Sequence, residues 1–393
     1  MGIARDLVII MRMAICTHPA LARALESDLE RGPIPFSRFM ELALYHPEGG
    51  YYCQSEPRVG RSGDFNTSPH QSPWFGRMIA SQTECIWEAA GKPSEFLLIE
   101  YGPGEGWLAR DLLEQVEAAG PPAFSEALEY IPVEISRSAT KRLQDRLAPW
   151  MERRPRAPCV RFDNPPSPSG KTQGGPDGYA GVVLAQEFLD ALPFHIVVQS
   201  EEGLRERYVQ QKGEFLVFQD GPLSNPRIAS AFKDLKIVLE VEQIAEISLA
   251  AEDWIVSAAA SLARGALLIF DYGFSAKVLY HPSRKDGTFR GYRKHSLTTE
   301  VLKNPGETDI TSHMNFTSIV RAAEEKGLEF SGFTDQSHFL MGLGITKALE
   351  EDGGKDTRRD RTSAFELMNP VGLGGAIKVL LLTKGIMGKF PAF

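Results

Sequence analysis

The sequence predicts a doubly wound α/β protein, and three observations carry that expectation. From about residue 95 onward, short apolar runs alternate with amphipathic stretches, the pattern of βαβ units around a mostly parallel sheet. The run "GYAGVVLAQEF" (178–188) is apolar almost throughout, as a strand covered on both faces requires. The stretch "LLIEYGPGEGWLARDLLEQV" (97–116) carries a strand through a glycine turn into a helix, the junction at which open α/β sheets seat ligands.

The elements follow in order. Residues 1–18 hold Arg5 and Arg12 with Asp6 as the one acid, which suits a short targeting segment, a frayed extension being the plainer reading. "ALARALESDLERG" places Leu21, Leu25 and Leu29 on one helical face and closes on Gly32; "PFSRFMELALYHP" is a second helix stopped by Pro47. A loop-rich block spans 49–76, and a helix near 76–90 leads to the first strand, "EFLLIEY". Then come a helix from Trp107 to Gly120, the strand "LEYIPVEIS", a helix from Ser136 to about Leu147, and the short strand "PCVRFD". A Pro/Gly/Ser-rich linker (163–178) precedes "GYAGVVLAQEF"; "GALLIFDYG" (265–273) and "AIKVLLLTKG" are further strands. Between Pro193 and Gln219, Glu-Gly and Lys-Gly turns divide two or three antiparallel strands. Residues 274–315 are turn-rich, and "LEEDGGKDTRRDRTS" (349–363) reads as a solvated, mobile loop. The chain thus divides into an extension (1–18), a helical and loop cap (19–92) and a main domain (93–390) with insertions at about 194–248 and 274–315.

Composition narrows the function. A net charge of −8 disfavours nucleic acid as the main partner. The four cysteines are scattered without a CxxC pair, which fits a reducing compartment and no zinc site. No uncharged apolar run reaches the length of a membrane span.

The glycine turn is informative in its spacing. Gly102-x-Gly104-x-Gly106 puts Trp107 where a dinucleotide fingerprint needs its third glycine, and it lacks the Lys-Ser/Thr of a P-loop. Preceded by Glu100, it resembles the first motif of class I S-adenosylmethionine (SAM) methyltransferases. That ligand has no phosphates, so the turn needs close backbone approach, and Glu100 can meet an ammonium group directly or through water. Glu134, ending the next strand, can accept hydrogen bonds from both ribose hydroxyls. A tight strand–helix turn without a ligand is the plain alternative.

Six blocks in order, "FMELALYHPEGGYY" (39–52), "GDFNTSPHQSPWFG" (63–76), "EYGPGEG" (100–106), "AQEFLDALP" (185–193), "GTFRGYRKH" (287–295) and "PGETDITSHMNF" (305–316), resemble the MidA family of SAM-dependent methyltransferases, over residues 20–385 or so. The resemblance implies a class I methyltransferase fold: about seven strands with an antiparallel last one, an N-terminal helical cap and inserted segments. It implies SAM as cofactor and, from the mitochondrial branch, protein arginine as methyl acceptor in respiratory complex I assembly. Gln186 stands where the family more often has Asn, His70 where it has Glu, Asn315 where it has Asp, and Glu105 where Arg or Asn is common.

An arginine acceptor stays charged at any workable pH, so carboxylates must hold the guanidinium fork and aim one nitrogen at the methyl group. Glu187 and Asp190 follow the fourth strand, at the carboxyl edge where such sheets bind ligands; Asp190 could equally cap a helix. Asp271 and Tyr272, at the next strand end, either line the same site or satisfy local backbone. Gln186 and Asp64 are further cofactor candidates. Tyr51, Tyr52 and Phe65 could close over the site or belong to the core, Arg290–His295 form a lid or a solvated face, and His313 is a proton acceptor or a helix cap. The expected partner is a protein substrate, complex I subunits included; the oligomeric state does not follow, a homodimer being one form considered. The cytoplasm of a bacterium is the expected compartment, with the mitochondrial matrix as alternative. A non-catalytic assembly protein retaining the fold is the competing function.

Overall fold

A computed structural model describes residues 18–55, 67–152, 154–162, 178–293, 296–351 and 358–393. Asp64 and Phe65, the N-terminal extension up to residue 17 and nearly all of the 163–178 linker lie outside the described residues. The chain forms two compact units, one drawn from Asn66–Leu189, Asp253–Gly273 and Ile319–Phe393, the other from Met1–Phe65, Asp190–Glu252 and Phe274–Ser318.

The first is the sheet unit. Its strands are β1 (Phe96–Tyr101), β2 (Leu128–Val133), β3 (Cys159–Val160), β4 (Tyr179–Gln186), β5 (Leu262–Phe274), β6 (Glu329–Asp335) and β7 (Ile377–Lys384). They lie in the order β3-β2-β1-β4-β5-β7-β6. The first five run parallel, and β7 is antiparallel to both neighbours. This is the mostly parallel sheet of about seven strands, with an antiparallel last strand, that the sequence predicts. Strand order reverses between β1 and β4, the switch point where such sheets open a crevice at their carboxyl ends. Val182 to Ala185 and Leu267 to Phe270 are all buried, which explains why β4 and β5 read as unbroken apolar runs.

Helices α1 (Pro73–Ala89), α2 (Trp107–Ala119) and α3 (Arg137–Leu147) flank the sheet. The sequence pattern groups α1 with the 19–92 cap; in the structure it packs on α2 within the sheet unit. That crossing is close: a Cβ on Gly76 would lie 2.7 Å from the Asp111 Cβ and 3.0 Å from the Leu108 carbonyl. On α1, Gln82 is fully buried, and neither amide atom has a hydrogen-bond partner among the described residues. An unpaired buried polar group costs about 1–3 kcal/mol. Gln82→Met is therefore expected to raise the thermal midpoint by about 2–4 °C, read by calorimetry. A lower midpoint would mean that a buried water completes the amide's bonds.

The smaller unit carries helices Pro19–Leu29 and Phe36–Tyr45, as the leucine spacing predicts. Between them Ile34–Pro35 pairs with Tyr208–Val209, a bridge that no local pattern announces. The 194–219 insertion forms three antiparallel strands, His195–Ser200, Gly203–Lys212 and Phe215–Gly221, joined at its open edge by Ile244–Ile247. Phe36 anchors the core, its ring within 6.2 Å of Phe39, Phe194, Phe218 and Phe289. The turn-rich segment 274–315 contains the short helix Ala276–Leu279 and a small sheet of Arg290–Arg293, Ser296–Thr298 and Asp309–Thr311.

One expectation is corrected. The charged run 349–363 is largely helical where described: Ile345–Glu351 ends within it and Arg358–Leu367 begins within it. Buried Leu349, Ala364 and Leu367 hold these helices, and they lie at or beyond the ends of the charged window. Among the described residues no helix is long and apolar enough to cross a membrane.

Candidate functional site

Beyond β1 the backbone turns sharply. Gly102, Gly104 and Gly106 take φ of +67°, +55° and +78°, a region that strains residues bearing a Cβ. Their surroundings differ. A Cβ on Gly106 would collide with Leu143 of α3, so that glycine permits helix packing. A Cβ on Gly104 would meet no heavy atom within 4 Å, so its backbone borders open space. This is the close-approach surface that a nucleoside ligand needs.

Two acids flank the turn. Glu134 follows β2, and its carboxylate accepts hydrogen bonds from Gly104 N (3.0 Å) and Ser136 N (2.8 Å). Burial raises its pKa, and backbone N–H groups oppose that rise. A carboxylate offers about four acceptor positions, so capacity for ligand hydroxyls remains. Glu100 is buried in β1 and accepts from the Tyr130 hydroxyl at 2.7 Å. Burial raises it to about 7, opposed by the Tyr130 bond and reinforced by Glu134. Beside Glu134, Ile135 is 64% exposed. Such an apolar side chain at the carboxyl edge suits a flat aromatic ring, and within "LEYIPVEIS" it carries the same sequence signature as strand core.

At the end of β4, Glu187 adopts φ +48°, a strained backbone for a non-glycine residue. Its N–H donates to the Phe270 carbonyl at 2.8 Å, fixing the turn to β5. The carboxyl receives the Gln186 amide, the Tyr272 hydroxyl at 3.3 Å and the Ser68 backbone N–H. Burial lifts its pKa to about 8; the Asp271 charge adds to this, and the hydrogen bonds from Gln186 and Tyr272 counter it. Asp271 accepts from Leu189 N (2.9 Å) and Tyr272 N (2.8 Å), so it braces the 187–189 turn. Of the two readings open for this pair, Asp271 takes the structural one and Tyr272 reaches the carboxyl. Phe188 packs with Tyr101 and Trp254, and its ring lies against Gly102.

Asp190 belongs to the smaller unit. It starts no helix, so the N-cap alternative is overturned; it lies buried in a turn whose carbonyl accepts from Ser312 N at 3.1 Å. Its charge acts on Tyr52, whose hydroxyl donates to Asp309 at 2.7 Å. Tyr51 is fully buried and stands edge-on to Tyr52, so this pair is core. His313 does not cap the following helix either: Asn315 Oδ1 accepts from Thr317 N and Ser318 N. Burial, with Arg284 and Arg290 nearby, lowers the His313 pKa to about 4. Within the basic run Arg293 pairs with Glu307, while residues 294–295 lie outside the described residues.

Comparison with known proteins bears on this arrangement. The family model described as "Putative S-adenosyl-L-methionine-dependent methyltransferase" matches residues 78–334. The chain is 30% identical to "Protein arginine methyltransferase NDUFAF7, mitochondrial" of Homo sapiens, covering 91% of this chain and 81% of that protein. It is 29% identical to the Drosophila melanogaster homolog, covering 95% and 88%. A crystal structure from Burkholderia thailandensis, bound to S-adenosyl-homocysteine, superposes with a TM-score of 0.81 at 28% identity, covering 95% of this chain and 94% of that one.

Proposed function

This chain belongs to the family of S-adenosyl-L-methionine-dependent methyltransferases, and from that premise we propose that it methylates arginine side chains of a protein substrate. The observation that carries the cofactor reading is the open backbone at Gly104, tied by its N–H to Glu134. When bound, S-adenosylmethionine supplies an electrophilic methyl group on a sulfonium. In this proposal Gly102, Gly104 and Gly106 shape the cradle, Glu134 holds the ribose, Ile135 covers the adenine and Glu100 faces the cationic end. Gln186 orients the carboxyl of Glu187, and Asp64 stays a sequence-based candidate.

Glu187 is the acceptor-binding group of the proposal. The residue is half-buried and its carboxyl hydrogen-bonded, an arrangement that favours ionisation once a cation arrives. A guanidinium nitrogen that gains a methyl must lose a proton, and ionised Glu187 takes it. Asp190 stays, like Asp64, a sequence-based candidate. The arginine reading draws on the names of the mitochondrial relatives, and the resemblance to complex I assembly proteins makes subunits of that complex the first acceptors to test. Relatives occur in mitochondria and in a bacterium, so the compartment follows the source organism and not the fold.

Calorimetric titration with S-adenosylhomocysteine, followed by transfer of labelled methyl to candidate proteins, tests both halves. A pH dependence follows as well. Glu187 is protonated below about 8, and a cationic acceptor binds its ionised form. Hence kcat/KM for an arginine peptide is expected to rise about tenfold per pH unit below that value and level off above it. A flat profile between about pH 6 and 9 would remove Glu187 from the acceptor site.

A further inference from the structure

The segment Thr67–Gln71 precedes α1 and lies outside the residues matched by the family model. It is tied to both sides of the switch point. Ser68 N–H donates to the Glu187 carboxyl beyond β4. The His70 ring stands 6.1 Å from that of Trp107, which opens α2 directly after the glycine turn. Glu134 lies on the other side of β1, beyond β2. A nucleoside with its ribose on Glu134 therefore points the far end of its 5′ substituent toward Thr67–Gln71.

Two polar atoms of this segment are buried with no hydrogen-bond partner among the described residues: His70 Nε2 and Gln71 Oε1. Buried polar atoms are rarely left unpaired in the functional state of a protein. On the other ring nitrogen, His70 Nδ1 lies 2.8 Å from Thr67 Oγ1. With the Thr67 hydroxyl as donor to Nδ1, Nε2 carries the ring proton and becomes a donor. Gln71 Oε1 is an acceptor. One donor and one acceptor within the same short segment match the carboxylate and ammonium of an α-amino acid.

We infer that His70 and Gln71 bind the amino-acid end of the cofactor, His70 Nε2–H donating to its carboxylate and Gln71 Oε1 accepting from its ammonium. Burial lowers the His70 pKa to about 4, so the imidazole is neutral at physiological pH and the tautomer alone sets its role. Arg146, whose guanidinium lies 3.7 Å from the centroid of the Trp107 ring, and Glu105 both act on His70, the Glu105 charge the more strongly.

This inference rests on the cofactor reading above, and the experiment separates the two. Affinities for S-adenosylhomocysteine and for 5′-methylthioadenosine, which keeps the nucleoside and thioether but lacks the amino acid, are measured by calorimetry on the wild type, His70→Phe and Gln71→Leu. Each variant is expected to lose about ten- to a hundredfold in affinity for the homocysteine ligand and to hold methylthioadenosine as tightly as the wild type. Retained methylthioadenosine binding also shows that the variants are folded. Equal losses for both ligands, or no loss for either, would overturn the inference while leaving the cofactor site standing. A folded wild type that binds neither ligand would overturn both.

Discussion

Glu187→Gln is expected to lower kcat/KM for methyl transfer by about a thousandfold while changing the affinity for S-adenosylhomocysteine less than twofold or so. Glutamine keeps the length of the side chain and its hydrogen bonds to Gln186 and Tyr272 in some form. It also inherits the same strained φ of +48°, to which neither residue is better suited. What disappears is the capacity to ionise beside a guanidinium and to take its proton. Transfer is measured with labelled cofactor, binding by calorimetry. Parallel loss of both would make Glu187 a cofactor ligand. Undiminished transfer would remove it from the chemistry. A non-catalytic assembly protein would instead keep its partner binding intact in this variant and show no transfer in the wild type.

Gly104→Val is expected to weaken S-adenosylhomocysteine binding more than about a hundredfold. Two effects combine. Valine at φ +55° bears left-handed strain, on the order of 1–2 kcal/mol. Its branched side chain also projects into the space where nothing lies within 4 Å of the Cβ position, the space assigned to the ligand. Gly104→Ala separates the two, since it carries most of the strain and little of the bulk. If alanine binds normally and valine does not, occlusion is the cause. Glu134→Ala, which frees Gly104 N–H and removes the ribose acceptor, should lose about tenfold or more. Normal binding by all three variants would move the ligand away from this turn.

The sequence made the sheet legible because its constraints are local. Apolar runs, helix periodicity and glycines at forced positive φ are all written within a few residues. The glycine turn and Glu134 could be read together because strands β1 and β2 are sequential and pair in parallel. Contacts between residues distant in the chain were not readable in this way. Tyr130 reaches Glu100 only through the cross-strand register. Asp271 holds Leu189, 82 positions away, and no spacing rule points there. The left-handed backbone of Glu187 was also hidden, since the sequence signals that conformation through glycine or asparagine. Asp190 looked like a cap because a polar residue before "ALP" resembles a helix start, yet Pro193 leaves no room for one.

The discontinuity of the sheet unit has a consequence for biosynthesis. Strand β4 pairs with β1 on one side, but its other edge waits for β5, about 75 residues further along the chain. At roughly 5–20 residues per second, a ribosome takes on the order of 4–15 s to deliver that partner. During that interval a central strand, among the most apolar in the chain, offers an unpaired edge to any other nascent polypeptide. The glycine turn emerges early, but the sheet that supports it closes only when β7, near the end of the chain, is made. Long-range pairing of this kind makes folding slow, and in the cell the yield of folded protein depends on how well chaperones shield β4 in the meantime.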